Sequence, residues 1–303
     1  MNAAELIEKG LERAFDRAAE ARSSRDEPST VCPGMLADAL RYAIFAGGAR
    51  VRPKLCLAVA GASAGPDLCE KAVGVAAAIE LIHCASLVHD DLPCFDDADI
   101  RRGAPSLHCA FSESMAVLVG DALIVMAFDA VGREYGDDPA IGMKLVRVVA
   151  RSAGPPAGIV SGQAWEAEEA IDLRAYHRSK TGALFVAACE AGAICVGGDP
   201  SPWRMLGQRL GEAYQVADDI RDVVLPSELL GKPAGADQRH RRPSSVSFFG
   251  LQGAVEHLAA LIDDAVEAVP ESPGADALRS LVIAQADRLM AHVEHRETRE
   301  RRA

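Results

Sequence analysis

The chain has 303 residues, of which 49% are hydrophobic, 25% charged and only 5% aromatic, and its formal net charge is −12. This composition excludes disordered, collagen-like and fibrous proteins, and the acidic balance excludes a global attraction to nucleic acid or to anionic membranes. An anionic ligand would have to be held by a local cluster of bases or by metal ions.

In chain order, the stretches starting at Glu5 (ELIEKGLERAFDRAAEA), Gly34 (GMLADALRYAIFAGG) and Leu278 (LRSLVIAQADRLMAHVEH) carry apolar residues at i, i+3, i+4 and i+7. Gly/Pro breaks punctuate the chain at Arg22–Pro33, Gly61–Pro66, Gly136–Pro139, Gly154–Gly158, Gly197–Pro202, Pro226–Gly235 and Pro270–Gly274. No sustained period-2 alternation and no βαβ rhythm is present, so the pattern predicts an all-α single domain over residues 1–303. The charged piece from His295 to Ala303 reads as a frayed helix end.

The N-terminus alternates charged and apolar residues and lacks the basic start and apolar run of a signal peptide. The most apolar run, Met115 to Phe128, spans 14 residues and contains Asp121, so no transmembrane segment and a cytoplasmic location are expected. Cys32, Cys56, Cys69, Cys84, Cys94, Cys109, Cys189 and Cys195 form no C-x-x-C pair, which predicts buried reduced thiols and not a disulfide framework or a zinc site.

Two acidic clusters carry the chemistry. The first runs His89-Asp90-Asp91-Leu92-Pro93-Cys94-Phe95-Asp96-Asp97-Ala98-Asp99 and the second Asp218-Asp219-Ile220-Arg221-Asp222. Asp218 and Asp222 are i and i+4 on a helical stretch, where like charges repel unless a cation lies between them. Oxygen-only donors favour Mg²⁺. On a straight helix Asp96 would stand about 240° round from Asp90, at ~100° per residue. Pro93 interrupts the helix, so Asp90 and Asp91 are expected to end it and the following loop to fold Asp96 back towards them. A solvated acidic turn is the plain alternative for either cluster alone. Two clusters, each after a strongly apolar segment, favour metal binding.

Four basic segments accompany them: Gly47-Gly48-Ala49-Arg50-Val51-Arg52-Pro53, Arg101-Arg102-Gly103, His177-Arg178-Ser179-Lys180-Thr181-Gly182 and Gly231-Lys232-Pro233. Singly each reads as a solvated face, but with two carboxylate clusters they suit a polyphosphate bridged by metal ions. An extended or turn conformation before Pro53 would splay Arg50 and Arg52.

The ordered set GGARVRP, DDLPCFDDADIRRG, KTG and YQVADDIRD resembles the all-trans isoprenyl diphosphate synthases over roughly residues 30 to 250. The wording of IELIHCASLVHDDLPCFDDADIRRG, YHRSKTGALF and LGEAYQVADDIRD is similar to the purple-bacterial carotenoid and bacteriochlorophyll branch, whose members make geranylgeranyl diphosphate. The resemblance implies an isoprenoid-synthase helical bundle with a central prenyl-chain cavity. It implies a homodimer working on prenyl diphosphates, and three Mg²⁺ (Mn²⁺ being the alternative ion) held between the acidic motifs and an allylic diphosphate. Carried over, Asp90 and Asp96 would bind two ions with Asp91 in support, and Asp218 the third, with Asp219 and Asp222 assisting. Arg101, Lys180 and Lys232 would grip the allylic diphosphate beside Thr181 and Gln215, while Arg52, His83 and Arg102 would hold isopentenyl diphosphate. His83 alone on an apolar helix is more often a core residue; its place two turns before Asp90 on the same face favours binding.

Two departures stand out. Ala49 occupies the lysine position of the family's G-G-K-R-x-R-P loop, with Arg50 as the candidate substitute, and Arg242 stands where a K-[ST]-x-P-like stretch is usual. Chain length is expected to follow from Ala85 and Ser86, one turn before Asp90, where an aromatic residue stops growth in related farnesyl-forming enzymes. Small residues let the tail pass towards Ile82, Ile79 and Ala78, and one helical turn of about 5.4 Å is close to one isoprene unit, so C20 is expected. Farnesyl diphosphate (C15) is the alternative product, with Phe111 or Met115 as alternative stoppers. A terpene cyclase or a non-catalytic synthase subunit is the less favoured reading, because the basic loop and both acidic motifs are intact.

Overall fold

The computed structural model describes residues 2–19, 32–224 and 244–286; the Pro226–Gly235 break, Lys232, Arg242 and the charged tail lie outside them. The described residues are helical almost throughout, and the chain divides into two compact units, Met1–Lys54 with Val73–Val149 and Leu55–Ala72 with Ala150–Ala303.

The first unit contains α1 (Ala3–Ala19), α2 (Gly34–Phe45), the first turn of α3 (Val51–Ala64), α4 (Val73–Asp90), α5 (Leu107–Ala110), α6 (Glu113–Glu134) and most of α7 (Pro139–Ala153). Its centre is α4, whose sequence VGVAAAIELIHCASLVHD is apolar on every side. A helix with no polar stripe must be surrounded, and α4 packs against α1, α2 and α6. On α1 the apolar stripe Leu6, Ile7, Leu11, Ala14 and Phe15 is buried, while Phe15 meets Phe45 edge-on at 6.0 Å between ring centroids. Helix α6 begins at Ser112, whose side chain accepts a hydrogen bond from the Met115 amide.

A carboxylate is almost fully buried within this core. Glu80 of α4 is 1% exposed and accepts a 2.8 Å hydrogen bond from Arg50. The Arg50 guanidinium also donates to Glu8 at 3.0 Å and to the Ile44 carbonyl at 2.7 Å.

The second unit holds the remainder of α3, a 3₁₀ turn at Pro66–Ala72, α8 (Ile159–Ala164), α9 (Leu173–His177), a π turn at Arg178–Gly182, α10 (Ala183–Cys195), α11 (Trp203–Val224), α12 (Ser245–Glu267) and a last helix over 275–286. Here α10 is the all-apolar helix, and its single buried carboxylate, Glu190, is held by Arg151 and Arg204. Helix α11 packs between α10 and α12, burying Val216, Ala217 and Ile220 against Leu258 and Leu261. A reciprocal Ser244–Ser247 capping box starts α12.

Several expectations change. Pro53 does not keep Arg52 out of a helix: α3 starts at Val51, so Pro53 lies in its first turn, where a missing N–H costs nothing. Arg50 takes φ +49° just before that helix. A two-stranded hairpin, β1 (Ile100–Arg101) and β2 (Ala104–Pro105), appears where no strand is expected; Arg102 and Gly103 turn it with φ +55° and +78°. The thiols are only partly buried, since Cys94 and Cys109 are exposed. Among the described residues three helical segments are long and apolar enough, by length and composition, to cross a membrane, Pro66–Asp90, Glu113–Glu134 and Ser245–Glu267, which corrects the reading from the Met115–Phe128 run. The first of these has 78% of its apolar window buried inside the fold. Gly250, at φ +71°, kinks the third.

The buried Glu80–Arg50 pair generates a stability prediction. Glu80→Ala leaves a guanidinium buried beside an apolar helix and should lower unfolding free energy by roughly 3 kcal/mol, read as a shifted urea midpoint. An unchanged midpoint would show that the existing Glu8 contact and water suffice for the Arg50 charge.

Candidate active site

The first acidic motif straddles the end of α4. Backbone bonds from the Asp91 amide to Leu87, from Asp96 to Asp90 (2.9 Å) and from Ala98 to Asp91 wind the loop back onto the helix end. Asp97 accommodates the reversal at φ +48°. Oxygens of Asp90 and Asp96 thereby come within 4.8 Å of each other. The fold-back expected from Pro93 is therefore present, and it produces a carboxylate pair without nitrogen or sulfur donors, a set that fits a hard divalent cation.

Asp91 has a different place. Its carboxylate is 2% exposed and is gripped by Arg101, whose Nε lies 2.9 and 3.1 Å from the two oxygens while its terminal nitrogen closes on Oδ1. Burial pushes the Asp91 pKa up and Arg101 pulls it back; the net direction is upward, and the acidic neighbours Asp90 and Asp96 add to it. Burial opposes the Arg101 charge, but Asp91, Asp90 and Asp96 outweigh it and raise that pKa, so the guanidinium stays charged.

The two basic segments of this unit meet. Arg102 donates to the Gly47 carbonyl at 2.5 Å, and its guanidinium lies where a Cβ on Gly48 would come within 2.8 Å. Gly48, at φ +125°, is thus required both by its backbone conformation and by this approach. Tyr42 donates to the Pro105 carbonyl at 2.6 Å, securing the second strand of the hairpin to α2. Half-buried His83 is desolvated and faces the charges of Arg52, Arg102, Arg101 and Arg50, which together hold its pKa well below the ordinary histidine value. A cleft of about 380 Å³, counted with its open mouth, is bordered by Asp91, Arg101 and Arg102 over an apolar floor of Ala43, Leu87 and Val88.

In the second unit the second acidic motif lies on the last turns of α11. Asp219 is buried; it accepts from Gln215 Nε2 at 2.8 Å and from the Ser245 amide at 2.7 Å. Burial nevertheless leaves its pKa raised. Asp222 is also buried, whereas Asp218 is partly open and takes a 3.1 Å contact from Arg221. Thr181 donates to Gln215, linking the π turn to α11. Lys180, in the same turn, is paired with Glu166, which also accepts from the Tyr176 hydroxyl at 2.8 Å. Gly162 permits α8 to approach this turn, since a Cβ there would come 2.3 Å from the Lys180 amide nitrogen.

The structure thus groups Asp90, Asp91, Asp96, Arg101, Arg102, Arg52 and His83 in one unit and Lys180, Thr181, Gln215, Asp218, Asp219 and Asp222 in the other. Lys232 and Arg242 lie outside the described residues. Arg50, the candidate substitute for the missing lysine, has its guanidinium on Glu8, Glu80 and Ile44, an occupation in the core and not at the site. Ala85 is buried, and Ser86 donates to the His83 carbonyl at 2.8 Å. Phe111 packs edge-on against Tyr42 at 5.7 Å. Sequence reasoning missed Glu166 and the Ser245 amide. An acidic residue 14 positions before Lys180 offers no periodic signal, and a backbone donor offers none at all.

Against known proteins, the polyprenyl synthetase family model matches residues 33–280. The chain is 48% identical over 280 residues to the geranylgeranyl diphosphate synthase of Cereibacter sphaeroides, covering 92% of this chain and 96% of that one. It is 43% identical over 284 residues to the geranylgeranyl diphosphate synthase of Rhodobacter capsulatus, at 94% and 96% coverage. Among solved structures it is similar to the Helicobacter pylori geranyltransferase complexed with magnesium and isoprenyl diphosphate. The TM-score is 0.72 and the identity 27%, with 98% of each chain covered.

Desolvation by burial, with the arginines around it, implies that His83 stays neutral at physiological pH. Its ring resonances should remain flat on titration from about pH 8 to 5.5, across the ordinary midpoint of about 6.5. A midpoint near that value would mean that the burial and the positive surroundings of His83 are absent in solution.

Proposed function

The chain belongs to the polyprenyl synthetase family, and from that premise we propose that it condenses isopentenyl diphosphate with allylic diphosphates to give geranylgeranyl diphosphate. The observation that carries the reading is that one basic segment of the first unit joins its acidic motif to the other basic segment: Arg101 grips Asp91, and Arg102 donates to Gly47. Close relatives named geranylgeranyl diphosphate synthase support the C20 product. The family match crosses both compact units, which supports treating residues 1–303 as one functional domain.

In this reading Asp90 and Asp96 hold two Mg²⁺ ions, and Asp218, the more open member of its motif, holds a third. Asp91 and Asp219 act behind them, one fixing Arg101 and the other fixed by Gln215 and Ser245. Bound Mg²⁺ would neutralise the charge that develops on the departing diphosphate. Arg101 and Lys180 take oxygens of the allylic diphosphate, with Thr181 and Gln215 alongside and Lys232 as a further contact. Arg52, Arg102 and neutral His83 hold the diphosphate of isopentenyl diphosphate, His83 as an uncharged N–H donor. The allylic C1–O bond breaks, the double bond of isopentenyl diphosphate forms the new C–C bond, and the proton lost goes to the released diphosphate. No side-chain nucleophile is needed. The buried small residue Ala85 leaves the prenyl tail room to pass along α4.

Product analysis tests this directly. Purified protein with Mg²⁺, labelled isopentenyl diphosphate and dimethylallyl, geranyl or farnesyl diphosphate should yield a C20 diphosphate. Asp90→Ala and Asp218→Ala should lower turnover by orders of magnitude with the helical content intact, and Ala85→Phe should move the product to C15. A wild-type C15 product would keep the chemistry and remove the Ala85 argument. No elongation by folded protein would shift the reading to a cyclase or a silent subunit.

The reading includes a cytoplasmic homodimer. Helix α6 exposes Val117, Leu118 and Val125 at 44%, 55% and 68%, an apolar face suited to a second copy. Sedimentation should return twice the 32.0 kDa chain mass, and a monomer at micromolar concentration would discard the dimer.

A further inference from the structure

The hairpin that carries Arg101 and Arg102 is closed at its base by three side chains with different donor atoms. Asp99 precedes β1, and His108 and Cys109 lie in α5 just after β2. Cys109 Sγ is 3.3 Å from His108 Nε2 and 3.6 Å from Asp99 Oδ1, and the three donor atoms all lie within 4.8 Å of one another. Around a tetrahedral Zn²⁺, with Zn–S about 2.3 Å and Zn–N or Zn–O about 2.0–2.2 Å, neighbouring donors stand about 3.4–3.6 Å apart. The two distances from Cys109 Sγ are therefore close to those of neighbouring corners of a zinc tetrahedron, and the third pair lies within 4.8 Å.

A second, independent feature points the same way. The other ring nitrogen, His108 Nδ1, is 3.0 Å from Ser106 Oγ. If Nδ1–H donates to that hydroxyl, Nε2 presents its lone pair towards Cys109, the tautomer-fixing contact typical of metal-binding histidines. Ser106 is itself 1% exposed, and its amide donates to the Asp99 carbonyl at 2.8 Å, so the partner that orients the imidazole is locked to the residue supplying the oxygen ligand. Asp99 and Cys109 are exposed, which leaves an approach for an ion and a fourth position for water.

We propose that Asp99, His108 and Cys109 form a Zn²⁺ site distinct from the Asp90–Asp96 carboxylate pair and from Asp218. The mixed oxygen, nitrogen and sulfur set selects a borderline ion such as Zn²⁺ over Mg²⁺. On binding, the Cys109 S–H bond breaks, the proton leaves to solvent and the thiolate coordinates, with no redox change. Because the ligands come from both ends of the hairpin, a bound ion ties its base and restrains the turn bearing Arg102.

Cobalt substitution tests the site with a readout that the carboxylate motifs do not produce. Full-length reduced protein in excess Mg²⁺ should take up one equivalent of Co²⁺ with intense tetrahedral d–d bands and a thiolate-to-metal charge-transfer band, both removed by one equivalent of Zn²⁺. Cys109→Ser and His108→Ala should abolish the charge-transfer band, while Cys94→Ser, at the other exposed thiol, should retain it. Ser106→Ala should weaken binding about 10–100-fold. The proposal is overturned if the wild type shows only weak octahedral bands, or if the thiolate band survives in Cys109→Ser.

Discussion

The arrangement of the first unit depends on the ion pair between Asp91 and Arg101. A carboxylate buried at the end of an apolar helix carries a desolvation cost of several kcal/mol unless a cation meets it with good geometry. The two-pronged contact of Arg101 supplies that geometry, and Arg101 belongs to β1. The hairpin is consequently fixed to the end of α4, and the next residue, Arg102, is carried to the Gly47–Gly48 loop. The pair also explains why adjacent aspartates differ: Asp91 points into the protein, while Asp90 and the folded-back Asp96 bring their oxygens together.

The same division recurs on α11. Asp219 is held by a side-chain amide one turn back and by a backbone amide at the start of α12, so it sets the junction of the two helices. Asp218, one residue earlier, keeps the more open position. In both motifs a run of like charges is tolerated because its members face different surroundings.

Much of the fold was legible because α4 and α10 are apolar on every side and the stripe on α1 has helical period. The return of Asp96 was legible from Pro93 and the angular offset of a straight helix. What escaped depends on contacts distant in sequence. The partners of Arg50 lie 42 and 30 residues away, and nothing local to GGARVRP announces them. The hairpin strands are two residues each, too short for a period, and the π turn around Lys180 differs from an α-helix only in its hydrogen-bond register. Pro53 misled because a proline near a helix start and one in an extended segment look alike until the boundary is known.

The occupation of Arg50 bears on how isopentenyl diphosphate is held in the proposed reaction. With Ala49 in the lysine position, Arg50 could replace the lost cation only by leaving Glu80 buried and uncompensated. Removing one partner of such a pair costs about 3–5 kcal/mol, more than a single charge-assisted hydrogen bond of about 1.5–3 kcal/mol returns. Arg50 therefore stays in the core, and the charge at this end of the site rests on Arg52 and Arg102. His83 can add a donor but no positive charge while burial and those guanidiniums disfavour its protonation. In the proposed reaction the lysine-to-alanine departure would thus shift the burden of diphosphate recognition onto the hairpin, whose position is set by Asp91.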